Sequence, residues 1–193
     1  MNESVHSVLM VGVGGQGIIR ASDILSMVMM GAGCDVKKSE VHGMAQRGGC
    51  VSSHVRFGPK VYSPLAQKGD VDVLVSFEKL ETLRYLEYLK PDGKVIINDE
   101  VVYPPSVNLG EEPYPEDTID FIKEHFKDVR VVNATELALR SGDRRMANTV
   151  ILGVLSLYLE IEPRVWEGVL EEAFPAKIQK ENKEAFRLGR GVS

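Results

Sequence analysis

The chain has 193 residues, 44% of them hydrophobic and 26% charged, with a formal net charge of -5. That length supports one domain with its own core, the composition excludes disorder and fibrous repeats, and the acidic balance argues against a nucleic-acid partner, whose phosphates demand a basic face. The longest apolar stretch, residues 147–159, contains Asn148, Thr149 and Ser156 and is too short to span a bilayer. No charged-then-apolar leader opens the chain, and Cys34 and Cys50 make neither a C-x-x-C pair nor a disulfide framework. The default expectation is therefore a cytoplasmic protein in a reducing setting.

Val8, Leu9, Met10, Val11 and Val13 predict a buried strand that runs into a glycine-rich turn. Residues 18–30 then carry Ile18, Ala21, Ile24, Leu25, Val28 and Met29 at helical spacing, with Gly31 and Gly33 as the stop. Residues 35–41 read as a polar extended segment, and 42–49 as a second glycine-rich loop. Val51, Ser53, Val55 and Phe57 alternate as in a strand, and Gly58-Pro59 is expected to turn that strand back onto Lys60-Val61-Tyr62 as a hairpin. An interior strand over 71–77 precedes an amphipathic helix over 78–89, which Pro91-Asp92-Gly93 should end before a short strand at 94–98. Residues 104–117, rich in proline and acid, read as a surface excursion. Helix (117–126), strand (129–132) and short helix (135–140) follow, then an apolar helix over 144–159. Glu162-Pro163 opens another helix, its proline at an early position where the missing N–H is harmless, and a last polar helix ends near Gly189. Strands alternating with helices predict a three-layer, Rossmann-like α/β domain over 1–193, with a largely parallel sheet plus an antiparallel hairpin and the helices of 144–189 packed on it.

The first glycine turn, Gly12-Val13-Gly14-Gly15-Gln16-Gly17, fits G-x-G-x-x-G with the required strand before and helix after. On this pattern Gly12 permits the turn, Gly14 lets a ligand approach the backbone, and Gly17 lets helix pack on strand. The N–H groups of Gly14 to Gly17 and the helix dipole would then meet an anion. The alternative is that the glycines serve only close packing. A dinucleotide fold also wants an acid for the ribose at the end of the second strand. Asp35 has about the right separation but begins its segment, and Glu40 lies a little too far on.

The second loop separates these readings. The run Ser39-Glu40-Val41-His42-Gly43-Met44-Ala45-Gln46-Arg47-Gly48-Gly49, placed after the GVGGQG turn and followed by Ser53-His54-Val55-Arg56-Phe57-Gly58, resembles the gamma-type subunits of the 2-oxoacid:ferredoxin oxidoreductases. Within that family it is most similar to the small (beta) subunits of the indolepyruvate:ferredoxin enzymes. Tyr62-Ser63-Pro64, residues 72–78 and residues 148–153 match as well, so the resemblance spans about 8–153. It implies the oxidative decarboxylation of a 2-oxoacid, with coenzyme A as acyl acceptor and ferredoxin as electron acceptor. Thiamine diphosphate with Mg, and iron–sulfur clusters, supply that chemistry. This chain has no Gly-Asp-Gly diphosphate motif and no cysteine array for a cluster. The resemblance therefore implies that both reside on a large partner subunit, and that this chain binds no metal and is not active alone. The cofactor-facing candidates are Gly12, Gly14, Gly15, Gln16, Gly17, Arg47, Gly48 and Gly49, the two loops sharing one sheet edge, with Arg47 free to clamp a phosphate or carboxylate. Two other functions stay open on sequence: a free-standing dinucleotide-binding oxidoreductase, and a scaffold whose loops only make an interface.

The remaining chemistry-bearing residues read as structural. His54 alternates inside a strand without ligand partners. Cys34 and Cys50 read as small buried residues, and Met27, Met29, Met30 and Met44 as packing. Arg144-Arg145 and the acids of the 104–117 excursion read as surface, although the arginines could contact an anion.

Overall fold

The structure, a computed structural model, describes residues 4–43 and 49–192. Six strands form one sheet in the order β2-β3-β1-β4-β5-β6: β1 (His6–Val13), β2 (Asp35–His42), β3 (Cys50–Gly58), β4 (Val71–Ser76), β5 (Leu89–Asn98) and β6 (Asp128–Val132). β1, β4, β5 and β6 pair in parallel, and β3 runs antiparallel to both β1 and β2. Successive residues of a strand point to opposite faces, and β1 is apolar on both. Val8 and Met10 enter a core with α1 (Ile18–Gly31), α5 (Ala134–Ser141), α6 (Ala147–Leu155), α7 (Pro163–Ala173) and α8 (Ala176–Arg190). Leu9 and Val11 enter a second core on the other face, with Ile122 of α4 (Thr118–His125) and the flank of α2 (Lys79–Tyr85). The result is the expected three-layer α/β fold. A four-residue helix, α3 (Pro105–Asn108), sits in the 104–117 excursion.

Three expectations are corrected. The hairpin is made by β2 and β3, across the second glycine loop, and residues 60–62 form no strand. β2 offers β3 a full ladder from Asp35↔Gly58 to His42↔Val51. The segment after Pro59 instead crosses the sheet, with Val61 N–H on the Asp35 carboxylate (2.9 Å) and Arg56 holding the Leu65 carbonyl (3.1 Å) and Asp70 (2.9 Å). β5 begins at Leu89, so Pro91-Asp92-Gly93 lies within it; the register jumps between Val71 and Val73 of β4, and such an irregularity is where a strand tolerates proline. The apolar helix expected over 144–159 is α6, flanked by 3₁₀ turns at Arg144–Met146 and Ser156–Tyr158.

Candidate functional site

The carboxyl ends of β1, β4, β5 and β6 open on one edge of the sheet, and the chain leaves β1 towards one side and reaches β4 on the other. Ligands of open α/β sheets bind at such a switch point. The edge holds a polar cleft of about 290 Å³, with Gly15, Gln16 and Gly17 on one wall and Asn98, Glu100, Thr135, Arg144 and Arg145 on the other, Phe77 and Ala147 completing the lining.

The first wall is backbone. Gly12 lies in β1 opposite Val51 rather than in the turn. A Cβ there would stand 2.7 Å from Gln16 Oε1 and 2.8 Å from Phe77 Cβ, so the glycine is needed for close approach and not for a positive φ. The space is taken by the Gln16 amide, whose oxygen accepts Val13 N–H (2.8 Å) and whose nitrogen donates to the Phe77 carbonyl (2.9 Å). Gln16 thereby ties the end of β1 to the end of β4. Gly15 and Gly17 are the residues with positive φ, 105° and 83°. Gly17 caps α1, and a Cβ on it would meet Asn148 Nδ2 at 2.7 Å, so it admits α6 rather than the strand expected from the motif.

The N–H groups divide. Gly14 donates to the Gly49 carbonyl (2.9 Å) and Gln16 to Val13 (3.2 Å). Among the described residues, no acceptor takes the N–H of Gly15 or Gly17. Those two, with the unpaired donors of the first turn of α1, are what an anion could meet. The Gly14–Gly49 bond also brings the last residue of the second glycine-rich stretch beside the first loop. Gly49 is thus beside the first loop, whereas Arg47 and Gly48 lie outside the described residues.

The second wall is side chain, and of its residues the sequence marked only Arg144 and Arg145, as possible anion contacts. Asn98, at the end of β5 and buried, accepts Ala134 N–H (3.0 Å) and donates to the Phe77 carbonyl (3.2 Å) and to Glu100 Oε2 (2.9 Å). Thr135 adds a long bond to the same oxygen (3.4 Å), and Arg144 stands 3.7 Å from Glu100 Oε1. Glu100 is therefore the acid that lines the cleft with the glycine turn. Asp35 begins β2 at the opposite edge, where its bond to Lys37, then that from Val61 N–H, hold its carboxyl down at about 2. Glu40 pairs with Lys38. Neither meets the turn.

The residues read as structural behave so only in part. His54 is buried, accepts Ala66 N–H on Nδ1 (3.3 Å) and has its pKa lowered by burial and then by Arg56. Cys34 and Cys50 are half-buried rather than fully so. Burial, and then a bond to Glu81, push the Cys50 thiol up to about 11, which leaves no thiolate at neutral pH. Met29 is buried, whereas Met30 is exposed. Met44 lies outside the described residues. Among the described residues, no three His, Cys, Asp or Glu side chains converge as metal ligands, and no helix is long and apolar enough to cross a membrane.

Residues 7–192 match the family described as pyruvate ferredoxin/flavodoxin oxidoreductase. Over 187 residues the chain is 37% identical to the indolepyruvate oxidoreductase subunit IorB of Archaeoglobus fulgidus, covering 95% of this chain and 92% of that one. The crystal structure of the pyruvate oxidoreductase subunit PORC of Thermotoga maritima shares the fold at a TM-score of 0.72 and 24% identity, over 96% of this chain and 94% of that one. A 2-oxoglutarate:ferredoxin oxidoreductase from Magnetococcus marinus, with 2-oxoglutarate, coenzyme A and succinyl-CoA bound, contains the same fold at a TM-score of 0.75 and 21% identity, over 99% of this chain and 31% of that one.

Proposed function

The chain belongs to the pyruvate ferredoxin/flavodoxin oxidoreductase family, as a small gamma-type subunit of a 2-oxoacid:ferredoxin oxidoreductase, and from that premise we propose how it divides the work with its partner. The partner is a large subunit carrying thiamine diphosphate, Mg and iron–sulfur clusters. The substrate is an arylpyruvate of the indolepyruvate kind, oxidised in the cytoplasm to its acyl-CoA with electrons passing to ferredoxin. Residues 1–193 act as one domain that contributes binding rather than chemistry. The choice of an aryl substrate is supported by the kinship along nearly the whole chain with a subunit named for indolepyruvate.

One observation carries the role of this chain. Gly15 and Gly17, whose N–H groups have no acceptor among the described residues, line a polar cleft together with Arg144 and Arg145. That donor set fits a phosphate of coenzyme A, held mainly by the partner and closed over by this edge. Arg47, from the second loop, would add a charge-assisted bond. When bound, coenzyme A supplies the thiol that accepts the acyl group; the residues of this chain orient its phosphate and exclude water.

The test is reconstitution. The isolated chain should be colourless, contain no iron, and fail to consume indolepyruvate with coenzyme A and a ferredoxin or dye acceptor. Adding the large subunit should restore turnover. Turnover by the chain alone, or stoichiometric iron in it, would overturn the division of labour.

A further inference from the structure

The cleft contains one group that an anion site does not need. Glu100 places a carboxylate opposite the glycine turn, its side chain 26% exposed. Its position is fixed rather than incidental: Oε2 accepts from Asn98, which is itself locked by Ala134 N–H and the Phe77 carbonyl. Oε1 points at Arg144 across 3.7 Å, too far for a hydrogen bond, so its lone pairs remain available to a donor.

A phosphate brought to Gly15 and Gly17 must therefore sit near a fixed carboxylate. The diphosphate bridge of coenzyme A, like that of thiamine diphosphate, presents only acceptors on either side, and these would leave Glu100 facing like charge. A ribose 3′-phosphate differs. The carbon beside it bears a hydroxyl, which donates to the carboxylate while the phosphate takes the N–H groups and the guanidinium. We infer that the cleft takes the ribose 3′-phosphate end of coenzyme A, with Glu100 accepting from the neighbouring 2′-hydroxyl and Arg144 turning from Glu100 to the phosphate. The inference rests on the reading that this cleft meets coenzyme A, and it names which phosphate is held.

The experiment uses the assembled two-subunit enzyme, with assembly of every variant checked by size-exclusion. Coenzyme A is compared with dephospho-CoA as acceptor, and adenosine 3′,5′-bisphosphate with its 2′-deoxy counterpart as competitor. In the wild type, loss of the 3′-phosphate should raise KM, and loss of the 2′-hydroxyl should weaken competition, each on the order of tenfold. Glu100→Ala should erase the hydroxyl preference and Arg144→Ala the phosphate preference. Equal use of coenzyme A and dephospho-CoA, or equal competition by the two bisphosphates, overturns the inference. So do preferences that persist in both variants. If Arg144→Ala then raises KM for both acceptors alike, another phosphate occupies the cleft and the proposed function stands. If neither substitution moves KM for coenzyme A, the cleft is not its site. Should a variant fail to assemble, the two wild-type comparisons still decide.

Discussion

The two walls of the cleft are built on different principles. The β1–α1 wall presents backbone: Gly15 and Gly17 turn through positive φ, Gln16 spends both ends of its amide on Val13 and Phe77, and the ligand would meet N–H groups. The facing wall presents side chains from three separated elements, with Glu100 beyond β5, Thr135 in α5 and Arg144 before α6. Where backbone forms a site, a substitution acts first on the fold. Where side chains form it, a substitution can act on the ligand alone. The contrast teaches which mutations can test function, and it predicts an order of effects.

The largest effect belongs to the backbone wall. Gly12→Val pushes a branched side chain into atoms 2.7 Å and 2.8 Å from its Cβ, in a strand paired on both sides. Overpacking of this kind costs about 3 kcal/mol, and chemical denaturation of the isolated chain should read it as a lower midpoint. A melting curve matching the wild type would mean that β1 and β4 can separate freely, and the contrast between the walls would be lost. Gln16→Ala comes next. It removes the acceptor of Val13 N–H and the donor to Phe77, and an orphaned, buried N–H costs about 2 kcal/mol. Coenzyme A affinity of the assembled Gln16→Ala enzyme should fall no further than the loosened turn explains. A loss of affinity with stability unchanged would instead make Gln16 a ligand contact.

The same contrast explains what could be read in advance. The backbone wall is local: strand, G-x-G-x-x-G and helix are contiguous from Val8 to Leu25, and three-layer α/β architecture follows from alternating apolar periodicities. The role of each glycine was not legible, because Gly12 meets Phe77 and Gly17 meets Asn148, contacts that only the folded chain brings together. Of the side-chain wall only the arginine pair was marked in advance, as a possible anion contact; Glu100 and Thr135 were not, since sheet order, not spacing, assembles residues 100, 135 and 144. The misplaced hairpin has a related cause. β2 is the edge strand, every residue of it half-buried or exposed, so it lacks the inside–outside alternation that marks a pairing strand. Gly58-Pro59 is the nearer turn signal, yet β3 pairs across the longer loop. The ribose acid was sought on β2 by analogy, and Glu100 lies on the other side of the switch point.

Arg47 tests the side-chain principle from the second loop. It follows Gly43 by four residues and precedes Gly49, whose carbonyl holds Gly14. Arg47→Ala removes charge without altering backbone permissiveness. We expect fold and assembly intact and the apparent affinity for coenzyme A or the 2-oxoacid weakened about tenfold, equivalent to about 1.4 kcal/mol. Unchanged kinetics in the assembled variant would remove Arg47 from the ligand site. Failed assembly would make the second loop an interface element.

The smallest effect separates two neighbouring arginines on one wall. Arg145 is 87% exposed at its side chain and is turned back on Asp143, whose carboxylate takes Nε at 2.9 Å and Nη2 at 2.6 Å while accepting Arg145 N–H at 2.8 Å. That short-range clasp caps the 3₁₀ turn at Arg144–Met146 and satisfies the guanidinium locally. Arg144 has no such clasp among the described residues and reaches instead towards Glu100. Exposed ion pairs contribute little to stability, and a guanidinium already engaged by a carboxylate must surrender that bond to reach a ligand. Arg145→Ala should therefore leave the melting temperature unchanged and shift KM for coenzyme A by less than about twofold, against the larger effect expected of Arg144→Ala. Equal losses at the two positions would mean that the cleft gathers positive charge without regard to geometry, and that the far wall is an electrostatic rim rather than a set of placed side chains.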